Sequence, residues 1–133
     1  MRLPIKNVSE MSGIRIVADT NPLVYLLNGN EQVGNHLDGK ECWISVITEL
    51  ELFGKRNLTV QDKREVKSLL DSCFVADLLP GIKEITKDLQ QSTTLKLPDT
   101  IIAATAIYLG LPLLTADKAF KKIKDLELIL LDI

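Results

Sequence analysis

An α/β fold, with helices on both faces of a central parallel sheet of about five strands, is predicted by three features of this sequence. Short β-branched or apolar runs alternate with helical segments, and strands separated by helical crossovers pair in parallel. The 133 residues are one domain's length, long enough to bury roughly two-thirds of the surface an unfolded chain exposes. Hydrophobic residues at 46% and charged residues at 26% give the balance of an ordinary globular core, so neither a disulfide framework nor a structural metal is required to hold it.

The elements follow in order. Residues 1–13 read as a polar N-terminal extension, with Met11 as an alternative start to Met1, and one domain spans 14–133. IRIVAD (14–19) is a β-branched strand ending in Asp19, and TNPLVYLLNG is a helix with Pro22 in its first turn and Gly29 past its end. GNEQVGNHLDGKE reads as a polar connection in which His36 faces solvent. ECWIS (41–45) is the second strand and VITELELFGK the helix after it. In TVQDKREVKSLLDSC, apolar residues at 66, 69, 70 and 73 form a helical stripe. FVADLL (74–79) is a third strand and IKEITKDLQQST a polar-faced helix. KLPDTIIAATAIYLG is an apolar helix with Asp99 placed to cap it; PLLTAD, a short KAFKKI turn and LELILLD close the chain.

This topology gathers acids. In a parallel sheet all strand C-termini lie along one edge, and ligands bind outside that edge. Asp19 ends the first strand and Asp117 closely follows the fourth. Because only Leu111 and Pro112 separate the Asp99 helix from the next parallel strand, that helix finishes at the N-terminal edge and starts at the other one. A fourth acid comes from the helix after ECWIS. Glu49 and Glu51 are about 200° apart around a helix, so both cannot face the crevice. Glu51 is preferred, although Thr48-x-x-Glu51 also fits a capping box. Unpartnered carboxylates so crowded raise one another's pKa values, and a hard divalent cation, Mg²⁺ or Mn²⁺, resolves the conflict. Such a site favours hydrolysis of a phosphodiester. Asn21 and Thr115 are placed to orient carboxylates or waters by hydrogen bonds.

With these residues in hand, the chain resembles the PIN-domain ribonucleases, and among them the VapC-like toxins of type II toxin–antitoxin pairs, from Ile14 to Ile133. VADTNPLVYLL is similar to the family's first acidic motif, and ISVITELEL to the second, whose acid lies six after the serine, at Glu51. LPDTIIAATAIYLGLPLLTADKAF resembles the third and fourth together. Gly54 falls three residues after Glu51 where the family's glycine falls four after its glutamate, which leaves Glu49 open. The resemblance implies a three-layer α/β/α fold and Mg²⁺- or Mn²⁺-dependent cleavage of RNA by Asp19, Glu51, Asp99 and Asp117, with Asp19, Asp99 and Asp117 on the metal. It also implies a homodimer and a small antitoxin as partner.

Other classes fit less well. A single histidine leaves no pair for metal-free ribonuclease chemistry, and neither a G-x-S-x-G elbow nor a phosphate-cradling glycine loop is present. A receiver-like signalling domain would use Asp77 as phospho-acceptor, but Asp19 lacks a neighbouring acid. A haloacid-dehalogenase-like phosphatase needs Asp where Asn21 stands. A catalytically silent PIN fold that only binds RNA or a partner would have lost an acid, and all four positions are filled. Cys42 and Cys73 match no metal or disulfide spacing and are expected reduced and buried in a cytoplasmic protein. No apolar run approaches the ~18 residues of a spanning helix. The net charge of −2 does not suggest a polyanion partner; with four acids set aside, however, 16 basic residues face 14 of the 18 acidic ones. Lys55, Arg56, Lys63, Arg64, Lys121, Lys122 and Lys124 cluster, as solvated helix faces do. NPLVYLL is apolar around more of its circumference than one sheet contact buries, which predicts a groove or dimer contact there.

Overall fold

The computed structural model describes residues 14–133; the extension 1–13, and with it the choice between Met1 and Met11, lies outside them. The chain runs β1 (Arg15–Ala18), α1 (Thr20–Leu27), α2 (Glu31–Leu37), β2 (Glu41–Ser45), α3 (Val46–Phe53) and α4 (Val60–Asp71). It continues through β3 (Phe74–Ala76), α5 (Pro80–Ser92), α6 (Leu97–Leu109), β4 (Leu113–Thr115), a 3₁₀ turn (Lys118–Lys122) and β5 (Leu128–Leu130). The five strands form one sheet in the order β3-β2-β1-β4-β5, and every pairing is parallel.

Side-chain alternation along the strands builds two cores. Ile16, Ala18, Cys42, Ile44 and Leu114 point into a layer shared with Leu23 and Leu26 of α1, Val33 and Leu37 of α2, Leu52 of α3 and Leu69 of α4. Val17 and Leu113 point the other way, against Ile82 of α5, Ile102, Ala103 and Ala106 of α6, and Phe120. The result is a three-layer α/β/α sandwich. Helix α6 is buried continuously from Thr100 to Ala106, because it has the sheet on one side and α5 on the other; its alanines permit that close approach. Gly81 of α5 sits under the ring of Tyr108, where an added Cβ would stand 2.3 Å from the ring. Gly110 ends α6 in the left-handed region, φ +68°, a conformation that glycine adopts without steric penalty.

Several local expectations change. The polar run after Gly29 contains α2, capped by the Asn30 side chain on the Val33 amide at 3.0 Å. Only Val33 and Leu37 of its seven residues are buried, too sparse a stripe to read as a helix. His36 is half-buried rather than solvent-facing, and its carbonyl accepts from Lys40 Nζ at 2.5 Å. The edge strands β3 and β5 pair over three residues each, shorter than FVADLL and LELILLD, since each has a neighbour on one side only. Asp77, Leu78 and Leu79 lie exposed beyond β3. Both cysteines are free thiols, but Cys73, just before that edge strand, is only half-buried.

The surplus apolar surface of α1 is also visible. Tyr25 is exposed, while Val24 and Leu27 join Leu52, Leu58 and Val66 around an open cleft of about 200 Å³. No helix among the described residues is long and apolar enough to cross a membrane.

Candidate active site

The sheet order places a crevice where the chain changes direction. From β1 the connections run outward through β2 to β3, then return across the sheet to β4 on the other side of β1. Outside the C-terminal ends of β1 and β4 the flanking connections diverge, and this is where open α/β sheets take ligands.

Asp19 sits in that crevice, directly after β1 and 5% exposed. Its Oδ1 accepts from the Thr20 amide at 2.8 Å and its Oδ2 from the Thr115 hydroxyl at 2.8 Å. Burial outweighs these two bonds, and the charges of Asp99 and Glu51 add to it, so the pKa rises from 3.8 to about 6. Thr115 is itself fully buried at the end of β4 and accepts from the Asp117 amide at 3.0 Å. One hydroxyl thus ties the buried carboxylate to the backbone of the next acid. The Asp117 carboxylate is exposed and accepts from the Ala119 amide at 2.9 Å, capping the 3₁₀ turn.

Asp99 does not cap α6, contrary to expectation. The helix begins two residues earlier, at Leu97, with Lys96 at the capping position and Pro98 in the first turn, so Asp99 is already helical. It makes no hydrogen bond among the described residues, and its carboxylate is left to the crevice. Its pKa is raised, first by burial and then by the charges of Asp117 and Glu51, with Lys96 opposing.

Helix α3 also starts earlier than a Thr48 cap would place it. Ser45 accepts from the Ile47 amide at 3.0 Å and begins the helix at Val46, which removes the capping-box alternative for Glu51. The Glu51 Oε1 instead accepts from the Thr20 hydroxyl at 2.6 Å, and Thr20 Oγ1 is also 3.0 Å from the buried Thr48 hydroxyl. Glu51 contributes to the electrostatic surroundings of both Asp19 and Asp99; Glu49 contributes to neither.

Thr20 was not among the sequence candidates. Its amide holds Asp19 while its hydroxyl holds Glu51, so one residue links acids that are far apart in the chain. Its place between Asp19 and Asn21 was the available signal. Asn21 is exposed on α1 and donates no hydrogen bond to a carboxylate among the described residues. Asp77 is likewise outside the electrostatic surroundings of Asp19 and Asp99.

Acids from four separate segments therefore share one neighbourhood, with Asp99 and Glu51 acting on Asp19, and Asp117 and Glu51 acting on Asp99. Among the described residues, however, no three His, Cys, Asp or Glu side chains stand close enough to encircle an ion. Asp19, Asp99 and Asp117 are not a closed three-ligand cage. Local amides and hydroxyls already occupy oxygens of Asp19 and Asp117.

The model of the PIN domain family matches residues 16–126. No curated protein matches the chain. Among solved structures, VapBC2 from Rickettsia felis, bound to a DNA fragment from its promoter, is similar with a TM-score of 0.76 and 22% identity, over 90% of this chain and 100% of that one. A toxin–antitoxin complex from Klebsiella pneumoniae gives 0.74 and 29% identity, over 86% of this chain and 95% of that one. VapBC-1 from nontypeable Haemophilus influenzae gives 0.70 and 26%, over 88% and 98%.

Proposed function

The chain belongs to the PIN-domain family, and from that premise we propose that it is a Mg²⁺- or Mn²⁺-dependent endoribonuclease acting as the toxin of a toxin–antitoxin pair. The observation that carries this reading is the gathering of Asp19, Glu51, Asp99 and Asp117 about the β1/β4 crevice, where Asp19 is held at raised pKa by burial and the charges of Asp99 and Glu51, and Asp99 by burial and the charges of Asp117 and Glu51. A phosphodiester-cleaving site needs such oxygen donors, and this chain offers no histidine pair in their place.

The donor set fits a hard cation. Mg²⁺ keeps several waters and takes only one or two carboxylates directly, with substrate phosphate completing the shell, so the open arrangement suffices. Asp19 and Asp99 would hold the ion, with Asp117 at its margin. A bound divalent cation would lower the pKa of a coordinated water and offset charge on the phosphate. The chain's own residues do the rest. Thr115 and Thr20 fix the two oxygens of Asp19, Thr20 turns Glu51 toward the crevice, and Glu51 accepts a proton at its free oxygen. Thr20→Val keeps the shape and removes the hydroxyl; it is expected to lower cleavage about 10- to 100-fold, and Thr20→Ser to restore it. Cleavage unchanged in the valine variant would remove Glu51 from the mechanism.

The decisive experiment is cleavage of a mixed RNA pool with Mg²⁺ or Mn²⁺. Asp99→Asn is expected to reduce it by on the order of 100-fold or more, and EDTA to stop it. Binding of RNA without any cleavage would favour the catalytically silent alternative. The partner belongs to the same reading: exposed Tyr25, Leu50 and Phe53 on α1 and α3 offer apolar surface for an antitoxin or a second copy in a homodimer. Free thiols at Cys42 and Cys73 suit the cytoplasm.

A further inference from the structure

The substrate proposed above meets an electrostatic obstacle. Single-stranded RNA carries a negative charge at each phosphate, and a rim of four carboxylates repels it. Lysine and arginine supply the compensating charge in nucleic-acid contacts, and several lysines close in the chain to the rim acids enter no ion pair among the described residues. The ion pairs among the described residues are Arg15–Glu41, Lys67–Asp71 and Lys87–Glu84. Lys96, Lys118, Lys121, Lys122 and Lys124 are all exposed and enter none of them.

Their placement is set by the fold. Lys96 is the residue before α6, three ahead of Asp99, and its charge acts on that carboxylate. Lys118 directly follows Asp117. The turn that carries it is anchored by Phe120 and Ile123, 0% and 5% exposed, which commits its inner side to the core. At three residues per turn, Lys118 and Lys121 stack along one outer edge. Asp99 and Asp117 therefore each have, close to them in the chain, an exposed lysine that forms no ion pair among the described residues. Four lysines within seven residues repel one another, a cost that a polyanion would relieve.

We propose that Lys96, Lys118 and Lys121 hold the phosphates of the RNA backbone flanking the scissile bond, at the Asp99–Asp117 end of the rim. The proposal rests on the ribonuclease reading. Lysines act as point charges and read no base, so these contacts position any RNA sequence.

The test compares Lys96→Gln/Lys118→Gln/Lys121→Gln with a control of equal charge, Lys40→Gln/Lys67→Gln/Lys83→Gln, whose lysines sit on other elements. Binding of a fluorescein-labelled 12-nucleotide RNA is followed by anisotropy in EDTA across a salt series, and cleavage is followed in Mg²⁺. The rim variant should lower the slope of log affinity against log salt by about 2, at roughly 0.7 per lost phosphate contact. Its KM should rise at least tenfold with kcat little changed; the control should match wild type. Equal losses in both triple variants would reduce the effect to net charge and overturn the proposal, as would an unchanged slope or a wild type that binds no RNA. Failure of wild type to cleave any RNA would instead strike the ribonuclease reading, while the binding series still judges the lysines. Matching melting temperatures confirm that each variant is folded.

Discussion

Asp19→Asn is expected to abolish RNA cleavage and, in metal-free buffer at neutral pH, to stabilise the protein. Asp19 is almost fully buried, and its pKa is lifted from 3.8 to about 6. A carboxyl whose folded pKa lies above its unfolded one binds its proton more tightly in the native state. Its stabilising contribution is therefore complete below about pH 4, declines as pH rises from about 4 to 6, and has gone at neutral pH. The shift corresponds to about 2 to 3 kcal/mol. Asparagine removes the charge, keeps an oxygen for the Thr20 amide, and obliges Thr115 to turn from donor to acceptor, which cancels part of the gain. The variant should exceed wild type by about 1 to 2 kcal/mol at pH 7.5 and lose that advantage at pH 4, as measured by urea denaturation at both pH values. Added Mg²⁺ or Mn²⁺ should narrow the difference at pH 7.5, since a ligand bound to the native state alone stabilises it. An asparagine variant less stable than wild type by the same amount at every pH would mean that the carboxylate is not strained at all.

Phe120→Ala carries the largest expected cost in stability. Phe120 is the largest fully buried side chain, packed in the α5/α6 layer, and truncating such a ring costs about 3 to 5 kcal/mol through lost transfer energy and the cavity left behind. The midpoint in urea should fall with little change in slope. Activity should fall too at temperatures where the variant remains folded, because this ring seats the turn between Asp117 and Lys121. Phe120→Leu should recover most of both. A loss below about 1 kcal/mol for alanine would show that the turn is held by something else, and the placement of Asp117 would need another explanation.

Most of the architecture was legible because it depends on short-range patterns with long-range consequences. β-branched runs and helical stripes locate ten of the segments, and the handedness of parallel crossovers leaves little choice about how they stack. The rim containing Asp19, Asp99 and Asp117 follows from the same logic: only three residues between α6 and β4 compel α6 to begin at the opposite edge. Helix α2 escaped because two buried residues in one short helix make no visible period. Asp99 was misread as a cap because Pro98 suggested a boundary where the helix had already begun.

What the sequence determined alone was therefore the class of fold and the side of the sheet on which the acids meet, since strand polarity and connection length are properties of the chain's order. Which oxygen faces which neighbour was decided only by the tertiary structure. Each residue of error in a helix start turns a side chain by about 100° relative to the strand before it, so the Glu51–Thr20 bond was not legible until Ser45 was seen to begin α3. The Thr115–Asp19 bond joins residues 96 positions apart, and the double hold of Thr20 on Asp19 and Glu51 exists only once β1 and α3 are packed. No local pattern encodes contacts of that kind, because they are made by the assembled layers.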